Sequence, residues 1–121
     1  MALRELDQAV RRIEKYGDGG FRIEGVAYAG GLLLTPKALI AWPVADLGQV
    51  TVEPLLAVRD DFEFLLIGSG KTFALPPKPV REALKAAGLR FDVMDTGAAC
   101  RTYNVLAAEG RLVAAALVPV A

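Results

Sequence analysis

Residues 62–71 read Phe-Glu-Phe-Leu-Leu-Ile-Gly-Ser-Gly-Lys, and this stretch decides the fold class. Its largely apolar run from Phe62 to Ile67 lies between Asp61 and Gly68, which is the pattern of a strand buried on both faces. Strands of this kind occur in parallel sheets whose two faces are covered by helices. The stretch therefore predicts an α/β fold built on a central sheet.

After this strand, helices and strands alternate along the chain. Pro79 near the start and Gly88 just past the end delimit the first helix. The predicted elements are a helix over 79–87, a strand over 89–94, a helix over 96–109 and a strand over 112–118. Strands that alternate with helices imply crossover connections and a largely parallel sheet.

Before this strand, the sequence predicts short strands and one short helix. Residues 16–21 form a turn by composition, and alternation around Gly25 predicts a hairpin. Apolar residues over 3–13 have helical spacing, whereas 11–16 fits a strand equally well, so this segment stays open. Further strands are predicted over 32–34 and 38–44, with Pro43 marking an edge or an end, and a helix over 52–58. We expect the N-terminal antiparallel hairpin to extend a central, mostly parallel mixed sheet.

The length and hydropathy of the chain predict how many domains it forms and whether it spans a membrane. A chain of 121 residues suits one domain, and residues 1–12 are the part expected to attach loosely. The longest near-pure apolar stretch, 112–120, is far shorter than the ~20 residues of a membrane-spanning helix. The N-terminus lacks the apolar region of a secretory signal. We therefore expect a cytoplasmic protein without a transmembrane segment.

The chain lacks several reactive groups. It contains no histidine and one cysteine, Cys100, so Ser-His and Cys-His nucleophile pairs, an internal disulfide and a thiolate metal cage are excluded. Its formal net charge is zero, whereas nucleic-acid binders carry a basic excess. We expect no catalytic residue, no metal site, no cofactor and no nucleic-acid partner.

The turn Gly68-Ser69-Gly70-Lys71 is the first candidate site. A strand that ends in a glycine-rich turn resembles a phosphate cradle, in which backbone amides face an anion. The spacing matches neither the P-loop pattern nor the complete dinucleotide-binding pattern. The alternative interpretation is a tight turn that needs a positive φ.

The second candidate site is Asp95-Thr96-Gly97-Ala98. The motif resembles the active-site motif of retroviral-type aspartic proteases, in which two subunits each contribute an Asp. The following residues are strongly helical, however, whereas that protease fold is nearly all β-sheet. Asp95 or Thr96 is therefore better interpreted as the N-cap of a helix.

Two further positions carry two interpretations each. Cys100 beside Arg101 is either an activated thiol at a helix N-terminus or an ordinary buried cysteine, and the second is favoured. Trp42 is core filler or an exposed interface anchor, and core is favoured. If the two turns share a pocket, Lys71 or Arg101 supplies its charge. The candidate ligand-binding residues are Gly68, Ser69, Gly70, Lys71, Asp95, Thr96, Gly97 and Arg101.

Three sequence blocks carry a family resemblance. They are residues 16–28, residues 65–70 and residues 94–111, the last reading Met-Asp-Thr-Gly-Ala-Ala-Cys-Arg-Thr-Tyr-Asn-Val-Leu-Ala-Ala-Glu-Gly-Arg. Over about Ile13 to Val118, the chain resembles the family of the mitochondrial complex I assembly factor 3, a domain family of unknown function in bacteria. The resemblance implies a three-layer α/β fold with a central mixed sheet, no established enzymatic activity, no cofactor and no catalytic residue to carry over.

The resemblance also shapes the expected function. The mitochondrial relative works with a partner protein during assembly of the respiratory NADH dehydrogenase, and the absence of a targeting extension here indicates a bacterial chain. We expect a non-catalytic protein-binding or assembly-helper domain in respiratory-complex or membrane-protein biogenesis, with a protein partner or a second copy of itself and a peripheral link to membrane complexes. The alternative is a small anionic ligand bound at residues 68–71 and the Thr96 helix N-terminus.

Overall fold

The computed structural model describes residues 11–121 as a mixed α/β fold. The strands are β1 (Ile13–Gly17), β2 (Gly20–Ile23), β3 (Val26–Ala29), β4 (Gly31–Leu34), β5 (Leu39–Trp42), β6 (Phe64–Gly68), β7 (Phe91–Met94) and β8 (Val113–Leu117). The helices are α1 (Glu53–Ala57), α2 (Lys78–Ala86) and α3 (Thr96–Ala108), with 3-10 turns at Leu47–Gln49 and Arg59–Asp61. The predicted alternation after residue 62 is confirmed. The open segment 11–16 mostly forms a strand, and the helical spacing before residue 11 lies outside the described residues.

The main sheet has five strands in the order β5-β4-β8-β6-β7. Strand β6 pairs in parallel with both β7 and β8, whereas β4 pairs antiparallel with β5 and β8. The expectation of a mostly parallel sheet is therefore wrong, because two of the four pairings in the described sheet are antiparallel. The tight hairpin accounts for the β4–β5 pairing, since strands joined by so short a turn can pair only antiparallel, whereas the β4–β8 pairing joins strands that are distant in the chain.

The first three strands form a separate antiparallel sheet in the order β1-β2-β3. The expectation that this hairpin extends the central sheet is wrong. Strand β4, which follows it in the chain, already has β5 on one edge and β8 on the other. The small sheet instead contributes its buried side chains, Ile13, Phe21 and Ile23, to a core cluster shared with α3.

Two apolar clusters lie on opposite faces of the main sheet. Along β6, Leu65 and Ile67 belong to the cluster that contains α1 and α2, whereas Leu66 belongs to the cluster that contains α3 and the small sheet. All three side chains are fully buried, so the strand is covered on both faces as its sequence predicts. Trp42 is also buried in the first cluster, which confirms its assignment to the core.

Helices α2 and α3 are short, and each ends close to a glycine. Gly88 and Gly110 follow α2 and α3 with φ values of +79° and +81°, a conformation that favours glycine. Helix α3 contains 13 residues, fewer than the ~20 needed to span a bilayer. Among the described residues, no helix is long and apolar enough to cross a membrane.

Candidate functional site

The two predicted turns, 68–71 and 95–97, meet at the carboxyl ends of β6 and β7. The Gly70 N–H donates to Thr96 Oγ1 at 2.8 Å, and the Thr96 N–H donates to the Gly70 carbonyl at 2.9 Å. Thr96 Oγ1 in turn donates to the Val118 carbonyl at 2.7 Å. Thr96 is fully buried, so its hydroxyl joins the β6 turn, the start of α3 and the residue after β8.

Glycine is required in this turn for two different reasons. A Cβ at Gly68 would lie 3.0 Å from Thr96 Oγ1 and 3.1 Å from Thr96 Cα, so the strand end packs directly on the helix start. Gly70 has a φ of +110°, which side-chain-bearing residues rarely adopt. The structure thus supplies the tight turn that the sequence offered as the alternative to a phosphate cradle.

The polar groups of this turn are engaged within the protein. The Ser69 N–H donates to the Met94 carbonyl at 2.8 Å. The Ser69 hydroxyl donates to the Thr72 carbonyl at 2.7 Å and accepts from the Ala74 N–H at 3.2 Å. An anion cradle needs amides that face a ligand, whereas the Ser69 and Gly70 amides face protein acceptors. These contacts favour a structural role, in which the hydrogen bonds of Thr96 with Gly70 and Val118 hold the turn in place. We call these bonds the Thr96 brace. The anionic-ligand site stays a prediction.

Asp95 is the N-cap of α3. Its Oδ1 accepts the Ala98 N–H at 2.9 Å, and its carbonyl accepts the Ala99 N–H at 2.9 Å. The carboxylate therefore occupies the helix N-terminus where an anionic ligand would have to bind, and two negative groups there would repel each other. Asp95 caps a 13-residue helix in an α/β fold, whereas the aspartic protease motif belongs to a nearly all-β fold. The structural context of that motif is therefore missing.

The two predicted cations lie at the surface, outside the buried Thr96 brace. Lys71 and Arg101 are both exposed. Arg101 and Gly97 line an open groove of about 830 Å³ between the small sheet and the first half of α3, whereas no residue of 68–71 lines it. The structure thus joins Gly68, Ser69, Gly70 and Thr96 in one buried cluster and places Arg101 in the adjoining groove.

Strand β1 packs closely on α3 beside this groove. A Cβ at Gly97 would lie 2.5 Å from the Tyr16 hydroxyl oxygen and 2.8 Å from Tyr16 Cζ. The glycine therefore admits the tyrosine ring to the helix surface. Across the small sheet, Tyr16 pairs with Phe21, which pairs with Tyr28, so three aromatic residues form a row that ends at the helix.

A side chain of α3 that was not among the predicted site residues holds β1 in place. Asn104 Oδ1 accepts the Ile13 N–H at 2.9 Å, and Asn104 Nδ2 donates to the Ile13 carbonyl at 2.9 Å. The amide thus pairs with the backbone of β1 as another strand would. The sequence signal was a polar, weakly helix-forming residue inside a helix, but the partner lies 91 positions away in the chain.

The Cys100 thiol is buried beside the groove. Only 5% of the residue is exposed, and desolvation raises the pKa of the thiol to about 12, while Arg101 lowers it and Asp95 raises it. The neutral thiol is therefore the form that prevails near neutral pH. Because the thiolate is the nucleophile, the geometry favours the interpretation of an ordinary buried cysteine.

We expect native Cys100 to resist alkylation by iodoacetamide at neutral pH. A rise in pKa from 9.0 to about 12 lowers the thiolate fraction about a thousandfold, and burial further limits access. Because the thiol ionises near pH 9 when exposed but only at about pH 12 in the folded protein, this group leaves stability unchanged below pH 9 and lowers it as the pH rises from 9 towards 12. Mass spectrometry of native and guanidine-unfolded protein measures the rates. Equal rates in the two states would contradict the assignment.

The described residues offer no other obvious reactive site. Within 11–121, no three Cys, Asp or Glu residues lie together as metal ligands. In the same range, every buried side-chain nitrogen and oxygen has a hydrogen-bond partner. Buried polar atoms that await a ligand are a common sign of a site, and this part of the chain presents none.

Known proteins resemble this chain over nearly its whole length. An uncharacterised protein of Rhodobacter capsulatus is 40% identical over 107 residues, covering 88% of this chain and 83% of that protein. The NADH dehydrogenase [ubiquinone] 1 alpha subcomplex assembly factor 3 of Danio rerio is 36% identical over 110 residues, and that of Homo sapiens is 33% identical over 121 residues. The matches cover 88% and 96% of this chain but only 63% and 64% of the two assembly factors.

Solved structures share the fold. The crystal structure of an outer membrane protein from Bartonella henselae has a TM-score of 0.86 at 34% identity, covering 94% of this chain and 98% of that chain. The solution structure of a Bordetella pertussis protein, described as an Mth938-like domain, has a TM-score of 0.77 at 28% identity, covering 90% and 85%. Residues 13–118 match a family described as "Protein of unknown function (DUF498/DUF598)". The chain therefore belongs to the DUF498/DUF598 family.

Proposed function

We propose that this chain is a non-catalytic protein-binding domain that assists assembly of a respiratory NADH dehydrogenase. The observation that carries the proposal is the similarity to assembly factor 3, which reaches 36% identity over 88% of the chain. Because the chain spans less than two thirds of the zebrafish and human factors, the proposal concerns the part that they share. We place its action in the cytoplasm, at the periphery of the membrane-bound complex.

The chemistry of the described residues supports binding rather than catalysis. The Thr96 brace uses its polar groups internally, and burial keeps the Cys100 thiol neutral near neutral pH. Large apolar side chains, by contrast, are exposed next to one another at Phe73 and Leu75. Exposed apolar surface is typical of protein interaction sites when it is contiguous.

The proposal is tested by deleting the gene in its own host and separating membrane complexes on native gels. We expect assembled NADH dehydrogenase to fall severalfold, partly assembled forms to accumulate, and the tagged wild-type protein to co-purify with those forms. Re-expression of the wild-type chain should restore assembly. Normal assembly in the deletion strain, together with no co-purified subunit, would refute the proposal.

A further inference from the structure

A second groove runs along the outer edge of β7. This β7 groove encloses about 580 Å³ and is lined by β7, by the side of α2 that carries Arg81 and Lys85, and by Phe73 and Leu75 of the β6–α2 connection. It does not contain any of the residues that the sequence predicted as a site. The groove lies at the end of the main sheet, where among the described strands none pairs with β7 on its outer side.

Two large apolar side chains project beside this edge. Phe73 is 61% exposed and Leu75 is 52% exposed, although a folded domain gains from burying both. They belong to the same connection and line the same groove. Contiguous apolar exposure of this kind is typical of an interaction surface.

The backbone of β7 offers hydrogen-bonding groups to the groove. The Arg90 and Met94 carbonyls accept from Leu65 and Ser69 and so face β6. Because backbone groups alternate in direction along a strand, those of Phe91 and Val93 face away from β6. The Val93 N–H donates to Asp92 Oδ1 at 3.0 Å. Phe91 therefore presents both its N–H and its carbonyl to the outer edge.

The charges of the groove are mostly positive. Arg81, Lys85 and Arg90 line it, against the single carboxylate of Asp92. None of the three cations forms an ion pair with another residue of the described range. Arg81 Nε donates to the Pro76 carbonyl at 3.0 Å, which fixes that guanidinium beside the connection. Cationic surfaces of this type attract acidic partners and raise their rate of association.

We propose that the β7 groove binds an extended, acidic segment of a partner protein, which adds to β7 as a further strand. The segment's backbone bonds to Phe91, its apolar side chains cover Phe73 and Leu75, and its carboxylates pair with Lys85 and Arg90. Strand addition to an open sheet edge is a recurrent mode of peptide recognition, in which the main chain supplies affinity and side-chain pockets supply specificity. An anionic membrane surface would also be attracted by the cations of the groove. It has no peptide backbone, however, that could pair with the edge of β7. This inference rests on the proposed function and names the docking surface.

The identity of the bound segment is tested by photo-crosslinking in the host. The full chain carries a photoreactive phenylalanine analogue at position 73, and a control carries it at Val105, which is 57% exposed on α3. We expect position 73 to crosslink to one extended segment of a partner, with a net negative charge in the crosslinked peptide, and position 105 to yield at least tenfold less. A lipid adduct, a basic segment, a second copy of this chain or no adduct at position 73 would overturn the inference.

The contribution of each side chain is tested with matched variants. We expect Phe73→Ser with Leu75→Ser, and separately Lys85→Gln with Arg90→Gln, to reduce the co-purified partner at least fivefold. Val105→Ser with Leu112→Ser, which changes two similarly exposed apolar residues, should leave it unchanged. Circular dichroism confirms that each variant folds. If the wild-type chain and both groove variants co-purify equally well with NADH dehydrogenase subunits, the inference about the β7 groove is wrong while the proposed function stands. If the wild-type chain captures no subunit, both the inference and the proposed function are wrong.

Discussion

Replacing Thr96 by Val should lower the free energy of unfolding by about 3 kcal/mol, because two buried backbone groups lose their partner while the shape of the side chain is kept. The Gly70 N–H would lose its acceptor and the Val118 carbonyl its donor. The methyl group that replaces the hydroxyl can make neither bond. Each buried polar group left unpaired costs about 1–3 kcal/mol, so the two losses together are large for a single substitution.

Urea denaturation of wild-type protein and the Thr96→Val and Thr96→Ser variants measures this effect. Ser keeps the hydroxyl and should retain most of the stability. A Thr96→Val variant as stable as the wild type would show that the brace contributes little. In that case the interpretation of residues 68–71 as a structural turn would lose its main support.

Gly31→Ala should destabilise the protein by about 3 kcal/mol or more, since the added methyl group meets backbone that cannot rotate away. A Cβ at Gly31 would lie 2.6 Å from the Trp42 carbonyl oxygen, 3.0 Å from that of Leu117 and 3.3 Å from that of Val44. These atoms belong to the strands on both sides of β4 and to the residues after β5. The clash can therefore be relieved only if the strands of the sheet move apart at Gly31.

The matched control for Gly31→Ala is Gly48→Ala. At Gly48 the only atom that a Cβ would meet is the Asp46 Oδ1 side-chain oxygen, at 3.1 Å, and the site is exposed. We expect that control to change stability by less than about 1 kcal/mol. Thermal unfolding and the soluble yield of both variants provide the comparison. Equal stability of the two variants would mean that the β4 strand is less confined than its contacts indicate.

The parts of the fold that depend on local sequence were predictable. The apolar run of residues 62–67 marks the buried strand, and Gly88 and Gly110 mark the ends of two helices, because each signal lies within a few residues of the element that it defines. Asp95 was one of two caps considered, and its side chain makes the capping bond. These features follow from side-chain patterns that need no knowledge of distant partners.

The parts that depend on distant contacts were not predictable. The Ile13 backbone pairs with Asn104, and Tyr16 packs on Gly97, and nothing near either residue in the sequence identifies its partner. The separation of β1–β3 from the main sheet likewise depends on the fact that β4 has both edges occupied. The glycine-rich turn illustrates the same limit. Its composition fits both an anion cradle and a tight turn, and only the direction of its amides distinguishes them.

In the described part of the chain, several polar side chains form hydrogen bonds that hold the local structure together. Thr96 and Asn104 each bond to backbone of another segment, the Ser69 hydroxyl bonds to backbone of its own loop, and the lone thiol is buried. The features that stay available to a partner are the edge of β7, the exposed side chains of Phe73 and Leu75, and the cations of the β7 groove. Under the proposed function, this surface would act through its shape and charge.

The amount of assembled NADH dehydrogenase in the deletion strain that expresses the Asp95→Asn variant tests this view most directly. Asn is as good an N-cap as Asp, so the substitution keeps the start of α3 and removes the only ionisable side chain of the protease-like motif. We predict full restoration of the complex. A folded Asp95→Asn protein that fails to restore assembly would contradict this account, because the Asp95 carboxylate would then have a functional role beyond capping α3.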